Sequence, residues 1–106
     1  MAFLFITEFA QLMPSPVGHL GQIAMQPPLA EQAIVNTGGN TVSAAFNAQT
    51  RLVRLHADSL CAIEFGTAPT AVASGATGTA RMVAGQTEYY GVPVGQSFKV
   101  AVILTT

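Results

Sequence analysis

The amino-acid sequence predicts an all-β fold: a single-domain β-sandwich of the jelly-roll type with about eight short strands. Three observations predict it. Apolar and polar residues alternate in short runs that are separated by Gly, Pro, Asn and Thr. No segment keeps a helical period over three turns, and no repeat of about 20–50 residues is present. A length of 106 residues indicates one domain that spans residues 1–106.

The composition excludes several classes of protein. Only 8% of the residues are charged, 50% are hydrophobic, and the formal net charge is -1. This apolar content is too high for a disordered chain. No apolar run reaches the about 18 residues that a membrane-spanning helix needs, and no basic cluster could neutralise nucleic-acid phosphates. We therefore expect neither a membrane nor a nucleic acid as a partner.

Turn residues separate the predicted strands of the N-terminal half. Residues 3–9 are rich in aromatic and branched side chains, and Pro14-Ser15-Pro16 then forces an extended or turning connection. Residues 29–35 could also begin a helix, but the polar turn over residues 36–40 stops it early, which favours a strand. The other strands predicted in this half are residues 20–25 and 42–46.

Alternation is clearest over residues 51–57, where Leu52, Arg54 and His56 fall on one face. The opposite face carries Arg51, Val53, Leu55 and Ala57.

Residues 60–65 alternate in the same way. Cys61, Ile63 and Phe65 are expected to face the core, with Ala62 and Glu64 facing outward. An uncharged loop follows over residues 66–78, and the remaining predicted strands are residues 79–83, 88–92 and 98–104.

The N-terminal strand is apolar on both faces. Phe3, Phe5 and Phe9 lie on one face, and Leu4 and Ile6 lie on the other. An antiparallel sheet over one core normally has a polar outer face, so a strand that is apolar on both sides is covered on both. These five residues are therefore interface candidates. Residues 1–17 form either an arm or swapped strand that pairs with a neighbouring subunit, or a central strand that is covered by a loop.

The sequence contains no recognisable catalytic, cofactor-binding or metal-binding motif. Cys61 is the only cysteine and is expected to be a small buried hydrophobe. His19 and His56 are far apart and lack supporting ligands. A strand would project Arg54, His56 and Asp58 to one side, where a histidine and a carboxylate could begin an acid–base pair, but a solvated strand face is the favoured interpretation. We expect no enzymatic activity, no metal and no cofactor.

Two adjacent tyrosines are candidate ligand-binding residues. Tyr89 and Tyr90 could stack on a sugar ring, with His56 as a further candidate. The alternative is that the tyrosine pair packs at the edge of the core.

The scarcity of charge predicts association. A small domain exposes a large share of its residues, so much of this surface must be Ala, Thr, Gln, Gly, Val and Pro. Free monomers usually avoid such a surface because apolar patches and weak charge promote association. We expect copies of the chain or other partners to cover it. The competing interpretation is a neutral surface rich in Thr and Gln that is adequate for solubility.

The C-terminal half carries a distinctive pattern of strands and turns. Its segments are LHADSLCAIEFG over residues 55–66, PTA over residues 69–71, RMVAGQTEYYGV over residues 81–92 and GQSFKVAVI over residues 95–103. This pattern resembles small virion proteins of tailed bacteriophages. In such proteins, Ala-Gly-x-x-Glu-Tyr-Tyr-Gly-Val is similar to an edge turn before the closing strand. The resemblance covers roughly residues 50–104 and includes no catalytic motif.

The resemblance implies a capsid decoration or cement protein. Such a protein is a homo-oligomeric β-sandwich that binds the major capsid protein and stabilises the head. It would be made in the cytoplasm of the host bacterium and reside on the capsid surface of the virion. Two alternatives stay open: a carbohydrate-binding module displayed on the virion, with His56, Tyr89 and Tyr90 as its candidates, and a small structural component of the head–tail junction or the tail.

Overall fold

The computed structural model describes residues 2–14, 20–24, 27–72 and 80–105. These residues contain no helix that could span a membrane. They form ten β-strands: β1 (Phe3–Phe9), β2 (Leu12–Pro14), β3 (Leu20–Ala24), β4 (Ala30–Val35), β5 (Thr41–Val42), β6 (Leu52–Ala57), β7 (Cys61–Gly66), β8 (Ala80–Met82), β9 (Thr87–Gly91) and β10 (Lys99–Leu104).

Eight of these strands form two antiparallel sheets that pack face to face, which confirms the predicted β-sandwich. The first sheet has the order β4-β1-β6-β9, and the second has the order β5-β10-β7-β8. Strands β2 and β3 pair with each other as a separate two-stranded sheet. This hairpin lies in the connection between β1 and β4.

The strand pairing is the nested pattern of a jelly roll. The innermost pair along the chain is β7 with β8. The strands that flank it pair next, β6 with β9, and the strands outside those pair in turn, β5 with β10. The outermost pair of the pattern contains β4, and its partner is β1. In a jelly roll of two Greek keys the strand that closes this last pair follows the others along the chain. Here it precedes them.

The core lies between the inner faces of the two sheets. Each sheet contributes its alternate residues, as the period of two along a strand requires. The buried residues of this core are Leu4, Ile6, Phe46, Val53, Leu55, Ala57, Cys61, Ile63, Met82, Val100 and Val102. The predicted alternation along residues 51–57 is therefore confirmed, since Val53, Leu55 and Ala57 face inward.

β1 has a central position in its sheet, which bears on the two interpretations of the N-terminal segment for residues 3–9. β1 is hydrogen-bonded to β4 on one side and to β6 on the other, within the sheet of its own chain. The description as an outward-reaching arm is thus wrong for these residues. Pro14 ends β2, a strand that the sequence did not predict, and Pro16 lies outside the described residues.

The predicted strand over residues 42–46 was too long. β5 ends at Val42, although the chain continues beside β10: the amide of Ser43 donates to the carbonyl of Val100 over 2.9 Å, and the amide of Phe46 donates to the carbonyl of Phe98 over 2.8 Å. The amide of Val100 donates to Ser43 Oγ over 3.0 Å. A side-chain oxygen thus replaces a backbone acceptor, and the regular ladder stops there.

Strand β7 follows the predicted alternation with two differences. Cys61 and Ile63 are fully buried, whereas Phe65 is half-buried and packs against the core. Ala62 was predicted to face outward, away from the core, yet it is buried. Its cross-strand neighbours are Arg81 and Ile103, and side chains of that length shield a methyl group between them.

Replacement of Phe65 by alanine should destabilise the domain by about 2–3 kcal/mol. This lies below the range of about 3–5 kcal/mol for a fully buried phenylalanine, because Phe65 is only partly buried. The ring still packs at 5.2 Å from Tyr90 and 6.4 Å from Phe46. Glu64→Ala is the matched control and should change stability by less than about 0.5 kcal/mol. Equal shifts in urea unfolding for both variants would contradict the register of β7.

Cys61 should resist thiol reagents in the folded protein. Burial raises the pKa of its thiol, and the charge of Asp58 adds to the rise, while a hydrogen bond with the backbone of Met82 opposes it. The reactive thiolate is therefore scarce at neutral pH. We expect slow modification by a chromogenic disulfide under native conditions and complete modification in urea. Fast native modification would show that β7 opens readily.

A buried carboxyl group fastens one turn to β1. Glu8 is only 2% exposed, and its Oε1 accepts hydrogen bonds from the amide of Asn47 and from Thr50 Oγ1, both over 2.7 Å. The turn is closed by the amide of Thr50, which donates to the carbonyl of Asn47 over 3.0 Å. A buried carboxyl group is costly unless donors satisfy it, so Glu8 holds the turn that leads into β6.

Candidate functional site

The outer face of the β4-β1-β6-β9 sheet presents aromatic and charged side chains together. We call this surface the aromatic face. By strand register its members are Phe3, Phe5 and Thr7 from β1, Glu31 and Ala33 from β4, Arg54 and His56 from β6, and Thr87 and Tyr89 from β9.

Strand register arranges eight of these nine residues, all except Phe3, in two rows that run across the sheet. In the first row, Phe5 pairs with Ala33 on one side and with His56 on the other, and His56 pairs with Thr87. The second row runs in the order Glu31, Thr7, Arg54, Tyr89.

Aromatic rings occupy much of the surface and remain in contact with water. Phe5 is 43% exposed and Tyr89 is 54% exposed. Phe5 lies between two other rings, with centroid distances of 6.0 Å to Phe3 and 6.3 Å to His56. Aromatic pairs at such distances prefer tilted arrangements like those seen here. An exposed aromatic cluster on a weakly charged domain is typical of a binding surface.

A groove of about 510 Å³ lies in the middle of the aromatic face. It is lined by Phe5, Ile6, Thr7, Glu31, Gln32, Ala33, Arg54 and His56. The short side chain of Ala33 beside the ring of Phe5 leaves the depression between β4 and β1.

The polar groups of the groove do not form an acid–base pair. His56 Nδ1 lies 2.7 Å from Thr87 Oγ1. Asp58, which the sequence placed on the same side as His56, lies beyond the end of β6. Its Oδ1 accepts a hydrogen bond from the amide of Phe3 over 2.8 Å. Asp58 therefore anchors the start of β1, so only Arg54 and His56 share the outer face of β6, and the prediction that a strand projects all three to one side is wrong for Asp58.

The structure separates the five N-terminal interface candidates. Leu4 and Ile6 are fully buried in the core, and Phe9 is also buried, with its ring 6.4 Å from that of Tyr89. The prediction that these three residues are interface candidates is wrong, because their surface is already covered within the chain. Phe3 and Phe5 remain available on the aromatic face.

The two tyrosines cannot form one platform. Adjacent residues of a strand point to opposite faces, so Tyr89 lies on the aromatic face and Tyr90 packs against the core. Burial raises the pKa of the Tyr90 hydroxyl, and the negative charge of Glu88 adds to the rise. Of the candidate ligand-binding residues, His56 and Tyr89 share a face with each other, and Tyr90 does not.

Glu31, Thr7 and Ala33 were not singled out from the sequence, although they complete the groove. Each is an ordinary residue of its own strand, and only the pairing of β4 with β1 and of β1 with β6 brings them beside Arg54. No local sequence signal specifies that pairing.

Within the described residues, no three potential metal ligands from His, Cys, Asp and Glu lie together. His19 lies outside the described residues.

Comparison with known proteins identified no relative. No family model, no curated protein and no solved structure shows significant similarity to this chain.

Proposed function

We propose that this chain is a non-enzymatic structural protein of a virion. In this proposal it is a capsid decoration protein that binds the major capsid protein lattice as a homo-oligomer and stabilises the head. The observation that carries the proposal is the aromatic face, which leaves rings exposed on a domain with only 8% charged residues. Such a surface favours a protein that works while covered by neighbours.

The local structure of the C-terminal half supports the resemblance to small virion proteins. In the segment that is similar to an edge turn, Gly85 has a positive φ of 83°, and its amide donates to the carbonyl of Ala57 over 2.7 Å. Glycine adopts this conformation without steric cost. The turn leads into β9, which is an edge strand, and the next strand is β10.

The mechanism is burial of weakly charged surface between subunits. Removing apolar surface from water contributes roughly 25 cal/mol per Å², and few charged groups have to be desolvated here. A subunit repeated over a lattice also gains from multivalency, because each bound copy places the next contact at high effective concentration. Weak individual contacts would then oppose opening of the seams between capsid subunits.

We expect purified protein to bind capsids of the phage that encodes it. Capsids that lack the protein are mixed with increasing amounts of it and sedimented. The expected result is saturable binding at a fixed ratio to the major capsid protein, with a higher temperature of capsid disruption. An unrelated β-sandwich protein of similar size is the control. A protein that sediments alone at every concentration would contradict the decoration function.

A carbohydrate-binding module is the second candidate, and the groove favours it. Phe5 and Tyr89 offer ring faces for stacking on a sugar, while Arg54, His56 and Glu31 offer hydrogen-bonding groups at its rim. Binding to a glycan array that is lost in both Phe5→Ala and Tyr89→Ala would support this function. The control is Val94→Ala, since Val94 is also exposed but lies outside the aromatic face.

A further inference from the structure

We propose that the aromatic face binds the aromatic face of a second copy of this chain, about a two-fold axis that runs along β1. This inference rests on the proposed function and deepens it, because it names the partner that covers the exposed rings. Closed dimers of this kind are isologous: the same patch of both subunits meets itself and must therefore be self-complementary.

The charges of the second row are arranged symmetrically about β1. Glu31 lies on β4 and Arg54 on β6, each directly across from Thr7. Neighbouring strands are about 4.8 Å apart, so the two charged residues are separated by about 10 Å across the sheet. Neither side chain has a hydrogen-bond or ion-pair partner in the described part of the chain. Both are free to pair with another molecule.

A two-fold axis parallel to β1, midway between two stacked sheets, exchanges the two sides of the sheet. Strand β4 of one copy then lies over β6 of the other, about 10 Å away, which is the usual distance between packed sheets. Glu31 of each copy faces Arg54 of the other. One rotation thus forms two identical ion pairs.

The shapes in the first row agree with the same axis. Ala33 of each copy faces His56 of the other, so a small side chain receives a large one. Phe5 faces Phe5 at the centre, where its exposed ring is covered by an aromatic partner. A two-fold axis across the strands, centred on the second row, would instead bring Glu31 against Glu31 and Arg54 against Arg54. Like charges at close range are repulsive, so that axis is disfavoured.

The expected dimer is reversible. With the axis along β1, three strands of about six residues overlap, namely β4, β1 and β6, over an area about 14 Å wide and 20 Å long, which is small for a specific interface. Its ion pairs lie near the surface, where salt screens them within about 3 Å at 1 M. We therefore expect self-association that strengthens with protein concentration and weakens with salt.

Charge reversal tests this geometry. In sedimentation velocity over a range of concentrations, wild-type protein should form dimers. Glu31→Arg and Arg54→Glu should each raise the dimer dissociation constant at least tenfold, because each turns two attractions into two repulsions. An equimolar mixture of the two variants should recover dimers, since every contact in the heterodimer joins opposite charges. The double variant E31R/R54E should dimerise with itself.

Matched control variants distinguish a contact through the aromatic face from general effects of charge and hydrophobicity on association. Arg51→Glu reverses an exposed charge outside the aromatic face and should leave the dimer unchanged. Phe5→Ser should abolish dimers, whereas Val42→Ser should not, although Phe5 and Val42 are exposed to similar extents, 43% and 40%. Circular dichroism confirms that each variant is folded. If a reversal lowers the melting temperature, Glu31→Gln and Arg54→Gln replace it and should also weaken the dimer.

Three results would overturn the inference: wild-type protein that is monomeric at all concentrations, single variants that dimerise like the wild type, or a mixture of the two variants that fails to pair. Capsid binding by the same samples distinguishes this inference from the proposed function. A dimer that does not bind capsids supports the inference and refutes the proposed decoration function. A monomer that binds capsids refutes the inference alone.

Discussion

Removal of residues 1–13 is expected to leave a chain that cannot fold. This deletion removes β1, which is hydrogen-bonded on both sides within its sheet. It also removes Leu4 and Ile6, which are 0% and 1% exposed. Truncating one such side chain to alanine costs about 2–5 kcal/mol, whereas a whole domain is stable by only about 5–15 kcal/mol. The loss of two core residues and two strand pairings therefore exceeds what the remaining domain can tolerate.

Circular dichroism and thermal melting measure this effect. The truncated chain should lose the β spectrum and its cooperative transition. The double variant F3S/F5S is the control: it makes the outer side of β1 polar but retains Leu4 and Ile6, so it should stay folded. A truncated chain that melts cooperatively and loses only its self-association would restore the hypothesis of an intersubunit arm.

Replacement of Glu8 by alanine should destabilise the domain by about 3–5 kcal/mol. The amide of Asn47 and the hydroxyl of Thr50 both lose their acceptor. A buried donor left without a partner costs about 1–3 kcal/mol, and the missing side chain adds a cavity. Glu8→Gln keeps a side-chain oxygen at the same distance from the backbone and should lose less than half as much stability.

Urea unfolding with an unchanged m-value is the appropriate measurement, because it compares the two variants without a change in the surface exposed on unfolding. Wild-type stability in Glu8→Ala would show that the turn is held without Glu8. An equal loss in both variants would assign the effect to the charge of the carboxylate rather than to its oxygen as an acceptor.

Much of the fold was predictable because it depends on local alternation. Val53, Leu55 and Ala57 face the core as the period of two requires, and Cys61 and Ile63 do the same. Features that depend on a partner strand were less predictable. β5 is short because a serine side chain, rather than a backbone carbonyl, accepts the hydrogen bond from β10.

The candidate site was predictable only in its separate parts. His56 and Tyr89 were noted from the sequence as candidate ligand-binding residues and Phe5 as an interface candidate, and the sequence offered no reason to place Phe5 beside the other two. Their shared surface arises from strands that are distant in the chain and adjacent in the sheet. The row that joins Glu31 to Arg54 depends on two registers at once, and a shift of one residue in either would move one charge to the inner face.

The early position of the strand that closes the roll affects how the protein folds while it is being synthesised. Of the ten strands, β1 leaves the ribosome first, and its partner β4 follows within the first third of the 106 residues. β10, one of the two inner strands of the other sheet, is the last of the ten to be made, and it joins β5 to β7. Until β10 emerges, the inner side of the growing first sheet has no complete second sheet to cover it. Nascent chains that stall before residue 99 should therefore expose apolar strands, bind chaperones and aggregate.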